Sequence, residues 1–239
     1  MGRLVELRDL AVAYGDKVLV SGVGLDVEEG SVTAVMGPSG SGKSLTARVA
    51  MGYVDEGLRV VSGSLRYPAH GDRDWLAGVV GGSPRAHAKL RRTTRALRGG
   101  WLSYSPQAAF SALNPGRTLG RQLQLSMARR EQAPADPARE IGRLLRRVGL
   151  DLDAAKALPT ELSGGQCQRA ALAVAMAPAP KLVLADEPET GLDPVLTRVV
   201  TELLLDVCKE EGCGLLLISH HDDTVERIAD RVVRLGAHG

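Results

Sequence analysis

Eight consecutive residues constrain this chain more than any others. Gly37-Pro38-Ser39-Gly40-Ser41-Gly42-Lys43-Ser44 fits G-x-x-x-x-G-K-[ST] at every fixed position. The apolar run Val32 to Met36 precedes it, and a predicted helix from Leu45 to Met51 follows. A strand, a Gly-rich loop and then a helix make a cradle for a triphosphate. Glycines let the backbone curl until successive N–H groups converge on phosphate oxygens. The positive end of the following helix faces the same charge. Lys43 is expected to reach the β- and γ-phosphates, and the Ser44 hydroxyl to ligate Mg²⁺. The candidate nucleotide-binding run is therefore Gly37 to Leu45.

The bulk numbers set limits on the rest. A chain of 239 residues is expected to form one large domain with room for a sub-lobe. With 44% apolar and only 3% aromatic residues, its core must be built from Ala, Val and Leu. The formal net charge of +2 gives no nucleic-acid footprint. Arg91, Arg92, Arg95 and Arg98 form a local basic cluster, read as a solvated helix face. Cys167, Cys208 and Cys213 are an odd set without a C-x-x-C pair, which argues against a disulfide framework or a zinc site. The charged N-terminus does not read as a signal peptide, and Glu6 spoils a myristoylation pattern. No uncharged apolar run approaches the roughly 18–20 residues of a membrane span, so a membrane link is expected to come through a partner.

The remaining chain reads as strands alternating with helices. Leu4 to Ala13, Leu25 to Val27, Ser64 to Tyr67 and Trp101 to Tyr104 are predicted strands, with a long irregular connection after the third. Lys89 to Leu97 and Arg117 to Glu131 are predicted helices. Asp136-Pro137 caps another, with Ile141, Leu144, Leu145 and Val148 on one face and Gly149 as its stop. An Ala-rich helix opens at Leu162-Ser163-Gly164-Gly165-Gln166 and runs to about Ala177. Leu182 to Ala185 and Leu215 to Ile218 are unbroken apolar runs, predicted as buried parallel strands. Between them lies a helix capped by Asp193-Pro194, with a core face of Leu196, Val199, Val200, Leu203, Leu204 and Val207. A short helix and a strand, Val232 to Leu235, follow. The pattern predicts an α/β core with a mainly parallel sheet and ligand at the strands' carboxyl ends. The strand-free helical zone is predicted to be an inserted sub-lobe.

Four further stretches carry chemistry. Asp186 and Glu187 follow a buried strand and have separable jobs. Asp186 is expected to hold Mg²⁺, and Glu187 to deprotonate the water that attacks the γ-phosphate. Gln107 follows a strand and offers an amide oxygen to metal or water. A histidine at a strand end, His220 or its neighbour His221, is a candidate donor to the γ-phosphate. Ser163-Gly164-Gly165 is a second phosphate-type helix start, and one nucleotide does not need two. It is expected to serve ATP held by another subunit, which predicts a head-to-tail dimer. Tyr14, after the first strand, reads equally well as a half-buried aromatic or as a ring stacked on adenine.

In their order and spacing, the Walker-A loop, Gln107, the Leu162 to Gln166 signature, Leu182 to Glu187, Gly191-Leu192-Asp193 and His220 resemble the ATP-binding cassette of ABC transporters. The likeness spans essentially the whole chain. It implies a P-loop NTPase core over about 1–107 and 178–239, an antiparallel N-terminal β-subdomain, and a helical signature subdomain over about 108–177. It implies ATP and Mg²⁺ as ligands, with Ser44, Gln107 and Asp186 at the metal. It makes Tyr14 the adenine-stacking ring, Asp193 a contact across the dimer, and His220 rather than His221 the switch. The stretch Gln107 to Pro115, with Ser111-Ala112-Leu113-Asn114-Pro115, is similar to the peptide and nickel importer branch. That implies peptides, nickel or metal chelates as cargo. It also implies a homo- or heterodimer of cassettes, two membrane permease subunits, an extracytoplasmic substrate-binding protein, no nucleic acid, and a place on the cytoplasmic face of the cell membrane. Departures from the branch are Ala108-Ala109 for an acidic-Pro pair, Glu189 for Thr or Ser, Cys167 for a larger residue and His221 for Asp. The C-terminal extension many members carry is not expected here. The competing reading is a soluble cassette protein acting on ribosomes or DNA. Such proteins generally need two cassettes or a long coiled coil.

Overall fold

The computed structural model describes residues 2–107, 109–189 and 194–236; within these, the side chains of 109, 110, 194–196 and 207 stay outside the description. The chain divides into two compact units, residues 1–98 with 214–239, and residues 99–213.

In the first unit, β1 (Arg3–Tyr14) pairs antiparallel with β2 (Lys17–Glu28) and β4 (Leu58–Arg66), in the order β2-β1-β4. Both β2 and β4 are longer than the apolar alternation predicts. Gly22, Gly24 and scattered polar residues break the pattern in β2, yet β1 supplies its hydrogen-bond partners. A second set of strands is parallel: β3 (Val32–Met36) lies between β7 (Gly214–Ile218) and β8 (Arg231–Arg234). Every residue of β3 and β7 is buried, which is why both read as unbroken apolar runs. Helix α1 (Lys43–Ala50) follows β3, α2 (Pro84–Thr93) ends in a 3₁₀ turn over Thr94–Ala96, and α8 (Asp222–Ile228) precedes β8.

The basic cluster is not a solvated face throughout. Arg91 donates to the Val54 carbonyl at 3.1 Å and Arg98 to the Arg91 carbonyl at 2.6 Å, and both guanidinium groups lie within 6 Å of the Tyr53 ring. Of the four, only Arg92 and Arg95 are exposed. Arg91 lies in α2 and Arg98 just after the 3₁₀ turn, and both reach back toward Tyr53.

The second unit holds the parallel pair β5 (Leu102–Ser105) and β6 (Leu182–Asp186). Its helices are α3 (Ala109–Ala112), α4 (Leu119–Met127), α5 (Pro137–Arg147), α6 (Gly164–Met176) and α7 (Pro194–Glu211). Helix α5 forms as its caps predict. Asp136 accepts the Arg139 N–H at 3.0 Å, Pro137 occupies the first turn, and Ile141, Leu144, Leu145 and Val148 are buried. Helix α7 needs a correction. Val200, Leu204 and Cys208 are buried at i, i+4 and i+8, but Val199 is 43% exposed and Leu203 only half-buried. The buried stripe is centred on Leu204, and Val199 lies at the far edge of the apolar arc.

An ion-pair network ties the turn after α4 to α5 and α7. Glu140 accepts from Arg130 at 2.7 Å and from Arg143 at 2.8 Å, while Arg143 and Arg147 both bond Glu211. Hydrogen bonds from Arg143 and Arg130 lower the Glu140 carboxyl to about 2, against an ordinary value of 4.5. A depressed carboxylate stabilises the fold above its unfolded pKa, and that contribution is lost as pH falls through the folded one. Stability is therefore expected to decline between pH 4.5 and about 2 partly through Glu140. Chemical denaturation of Glu140→Gln across that window should show a flatter dependence than the parent, and an identical slope would remove Glu140 as a contributor.

Candidate functional site

The phosphate cradle belongs to the first unit. β3 delivers the chain into Gly37, and α1 begins at Lys43. Gly40 and Gly42 adopt φ of 81° and 89°, the left-handed turns that aim consecutive N–H groups inward. The space is specific to glycine. A Cβ on Gly37 would fall 2.6 Å from both the Leu235 carbonyl and Ser41 Oγ, and one on Gly42 would fall 2.2 Å from Val20 Cγ2. Gly42 is the N-cap of α1. No side chain caps the first turn and no acidic residue lies in it, so its positive end is left for an anion. Lys43 is buried by its stem and donates to the Gly37 carbonyl at 2.9 Å and the Pro38 carbonyl at 3.1 Å. Ser41 Oγ is buried without a hydrogen-bond partner, a polar atom inside the cradle itself. Gly42→Ala should cost about 1–3 kcal/mol in backbone strain and displace Val20. Thermal unfolding should show a lower midpoint and calorimetry a weakened ATP affinity; a variant matching the parent in both would contradict this geometry.

Tyr14 stands at the end of β1, 63% exposed, with a ring atom 3.1 Å from where a Gly57 Cβ would lie. His220 follows β7 and is exposed; its ring centroid is 4.1 Å from that of His221, at an interplanar angle of 36°.

The acids belong to the second unit. Asp186 ends β6 and is buried, and one of its oxygens accepts the Tyr104 hydroxyl at 3.1 Å. Glu187 is partly exposed and has a φ of 45°, a left-handed conformation that costs a non-glycine residue about 1–3 kcal/mol. That backbone turn separates the two carboxylates, so that Asp186 meets Tyr104 and Glu187 meets Gln107. The Gln107 amide donates from Nε2 to Glu187 Oε2 at 2.9 Å. Gln168, buried in α6, donates to the Pro188 carbonyl at 2.6 Å and braces the loop after the acids. Tyr104 and Gln168 were not singled out by sequence. Their partners lie 82 and 20 residues away, and no local pattern marks such pairs.

Ser163 caps α6 and forms a capping box with Gln166: Ser163 Oγ accepts the Gln166 N–H at 3.3 Å, and Gln166 Oε1 accepts the Ser163 N–H at 2.9 Å. Ser163 and Gly164 are exposed, and no acidic residue lies in the first turn. This is an open, ordered helix N-terminus suited to an anion. Asp193, with Gly191 and Leu192, lies outside the described residues.

Residues 20–190 match the family described as "ABC transporter". "Dipeptide transport ATP-binding protein DppD" of Haemophilus influenzae is 33% identical over 240 residues, covering 96% of this chain and 68% of the relative. "Oligopeptide transport ATP-binding protein AppD" of Bacillus subtilis is 32% identical over 241 residues, covering 98% of this chain and 69% of the relative. This chain thus spans about two thirds of both relatives' length. Among solved structures, "Dimeric Structure of MJ0796, a Bacterial ABC Transporter Cassette" aligns with a TM-score of 0.77 over 98% of this chain and 94% of that one, at 22% identity; that likeness carries the fold. The chain belongs to the ABC transporter family, as an ATP-binding cassette ATPase of the branch that holds peptide importers. Among the described residues, no helix is long and apolar enough to cross a membrane.

Proposed function

We propose that this chain hydrolyses ATP to drive uptake of peptides, or of nickel or metal chelates, through partner permease subunits at the cytoplasmic face of a membrane. An extracytoplasmic binding protein delivers the cargo. The observation that supports the catalytic part best is the Gln107–Glu187 hydrogen bond, which orients one carboxylate by a neutral donor. Glu187 takes the proton of the attacking water, and the new P–O bond forms at the γ-phosphate as the bond to the β-phosphate oxygen breaks. Lys43 and the α1 N-terminus neutralise charge on the triphosphate. His220 donates to a γ-phosphate oxygen, and Tyr14 stacks on the adenine.

Ser44, Gln107 and Asp186 offer the hard oxygen donors that Mg²⁺ takes, and the buried Asp186 carboxylate suits a cation. When bound, Mg²⁺ supplies charge neutralisation at the β- and γ-phosphates. Ser163, Gly164, Gly165 and Gln166 serve the ATP of a second cassette, identical or different, and Asp193 contacts that partner. The helical lobe over about 108–177 carries this surface.

The test is affinity purification of the tagged chain from detergent-solubilised membranes. Two polytopic membrane proteins are expected to copurify, and added ATP should be hydrolysed by the complex. Copurification of ribosomes or DNA without membrane subunits would overturn the transport reading.

A further inference from the structure

The end of helix α7 brings together two thiols that nucleotide chemistry does not use. The Cys213 N–H donates to the Cys208 carbonyl at 2.9 Å, and the Gly212 N–H donates to the Lys209 carbonyl at 3.3 Å. Gly212 has a φ of 63°. These are the two hydrogen bonds and the left-handed residue of a Schellman stop, in which the side chains flanking the turn meet. In most proteins that meeting is an apolar contact. Here the two positions are Cys208 and Cys213. Both are buried, at 2% and 0% exposure, while Gly212 between them is exposed, so the pair sits one residue beneath the surface. Ion pairs from Arg143 and Arg147 to Glu211 hold this helix end in place.

We propose that Cys208 and Cys213 are an oxidisable dithiol, a modification site at which a hydroperoxide closes an intramolecular disulfide. The two thiols differ in role. The Cys208 side chain beside it holds Cys213 below the ordinary thiol range, and Cys213 together with burial holds Cys208 well above it. Cys213 is therefore the attacking sulfur. Its thiolate attacks one peroxide oxygen; the O–O bond breaks, an S–O bond forms, and the other oxygen leaves and is protonated to water. The Cys208 sulfur then attacks the sulfenic sulfur of Cys213. The S–S bond forms, the S–O bond breaks, and the departing hydroxide takes the Cys208 proton as a second water. Two thiols are oxidised and one peroxide is reduced. Cys167 provides an internal control. It is buried in α6 against the Pro159 carbonyl at 3.2 Å, and burial pushes its thiol up.

The experiment treats the native chain with hydrogen peroxide, stops with catalase, then denatures, alkylates and weighs the protein and its peptides. The expected result is a loss of two hydrogen masses confined to the peptide joining Cys208 and Cys213, an alkylated Cys167, and full reversal by dithiothreitol. In Cys208→Ser, which keeps a donor beside the Cys213 sulfur but cannot close the disulfide, dimedone should trap a sulfenic acid at Cys213. The proposal is overturned if all three thiols remain alkylatable, if the disulfide includes Cys167 or a second chain, or if a folded Cys208→Ser yields no adduct at Cys213. Should that variant not fold, the parent's peptide map decides alone.

Discussion

Glu187→Gln is expected to abolish turnover while leaving the nucleotide bound. The substitution keeps the shape of the side chain and an oxygen that can accept from Gln107 Nε2, so the local fold should survive. What disappears is the proton acceptor. General-base catalysis is worth roughly 10²–10⁴ in rate, and phosphate release by the purified transport complex should fall by that factor. ATP affinity should stay within threefold of the parent, because the amide removes no phosphate contact; about 1.4 kcal/mol would be needed for a tenfold change. A rate loss below tenfold would take the general-base role from Glu187. The left-handed backbone at this residue supports a positioning cost accepted for function.

Lys43→Ala should act on the other term, affinity. In the proposed role, the Nζ that bonds the Gly37 and Pro38 carbonyls exchanges them for phosphate oxygens. Two hydrogen bonds to a charged group, at about 1.5–3 kcal/mol each, correspond to roughly 10²–10⁴ in Kd. Fluorescence titration with a labelled ATP analogue should therefore find weak or no binding at micromolar nucleotide. An unchanged affinity would remove the cradle from nucleotide binding. The two variants separate the roles: one holds ATP without cleaving it, and the other does not hold it.

Several elements were legible because their cause is local. The cradle from Gly37 to Ser44 needs its glycines within eight residues of one another. The α5 caps lie on the helix they cap. The strands β3, β6 and β7 read as apolar runs because nothing along them faces water. What stayed hidden is set by tertiary placement. Gln107 and Glu187 are 80 residues apart, and the φ of Glu187 follows from the loop around it. The side of the basic cluster that turns inward depends on Tyr53, and the dithiol depends on a helix stop rather than on cysteine spacing. In α7, periodicity shows which residues are apolar but not which of them a neighbour covers.

The most direct test follows one bound triphosphate. The complex containing this chain is mixed with less than one equivalent of ATP, quenched at intervals, and its nucleotides are separated. The parent is predicted to convert bound ATP to ADP and phosphate, and Glu187→Gln to retain intact ATP over the same interval. ADP appearing in Glu187→Gln at the parent's rate would contradict the account.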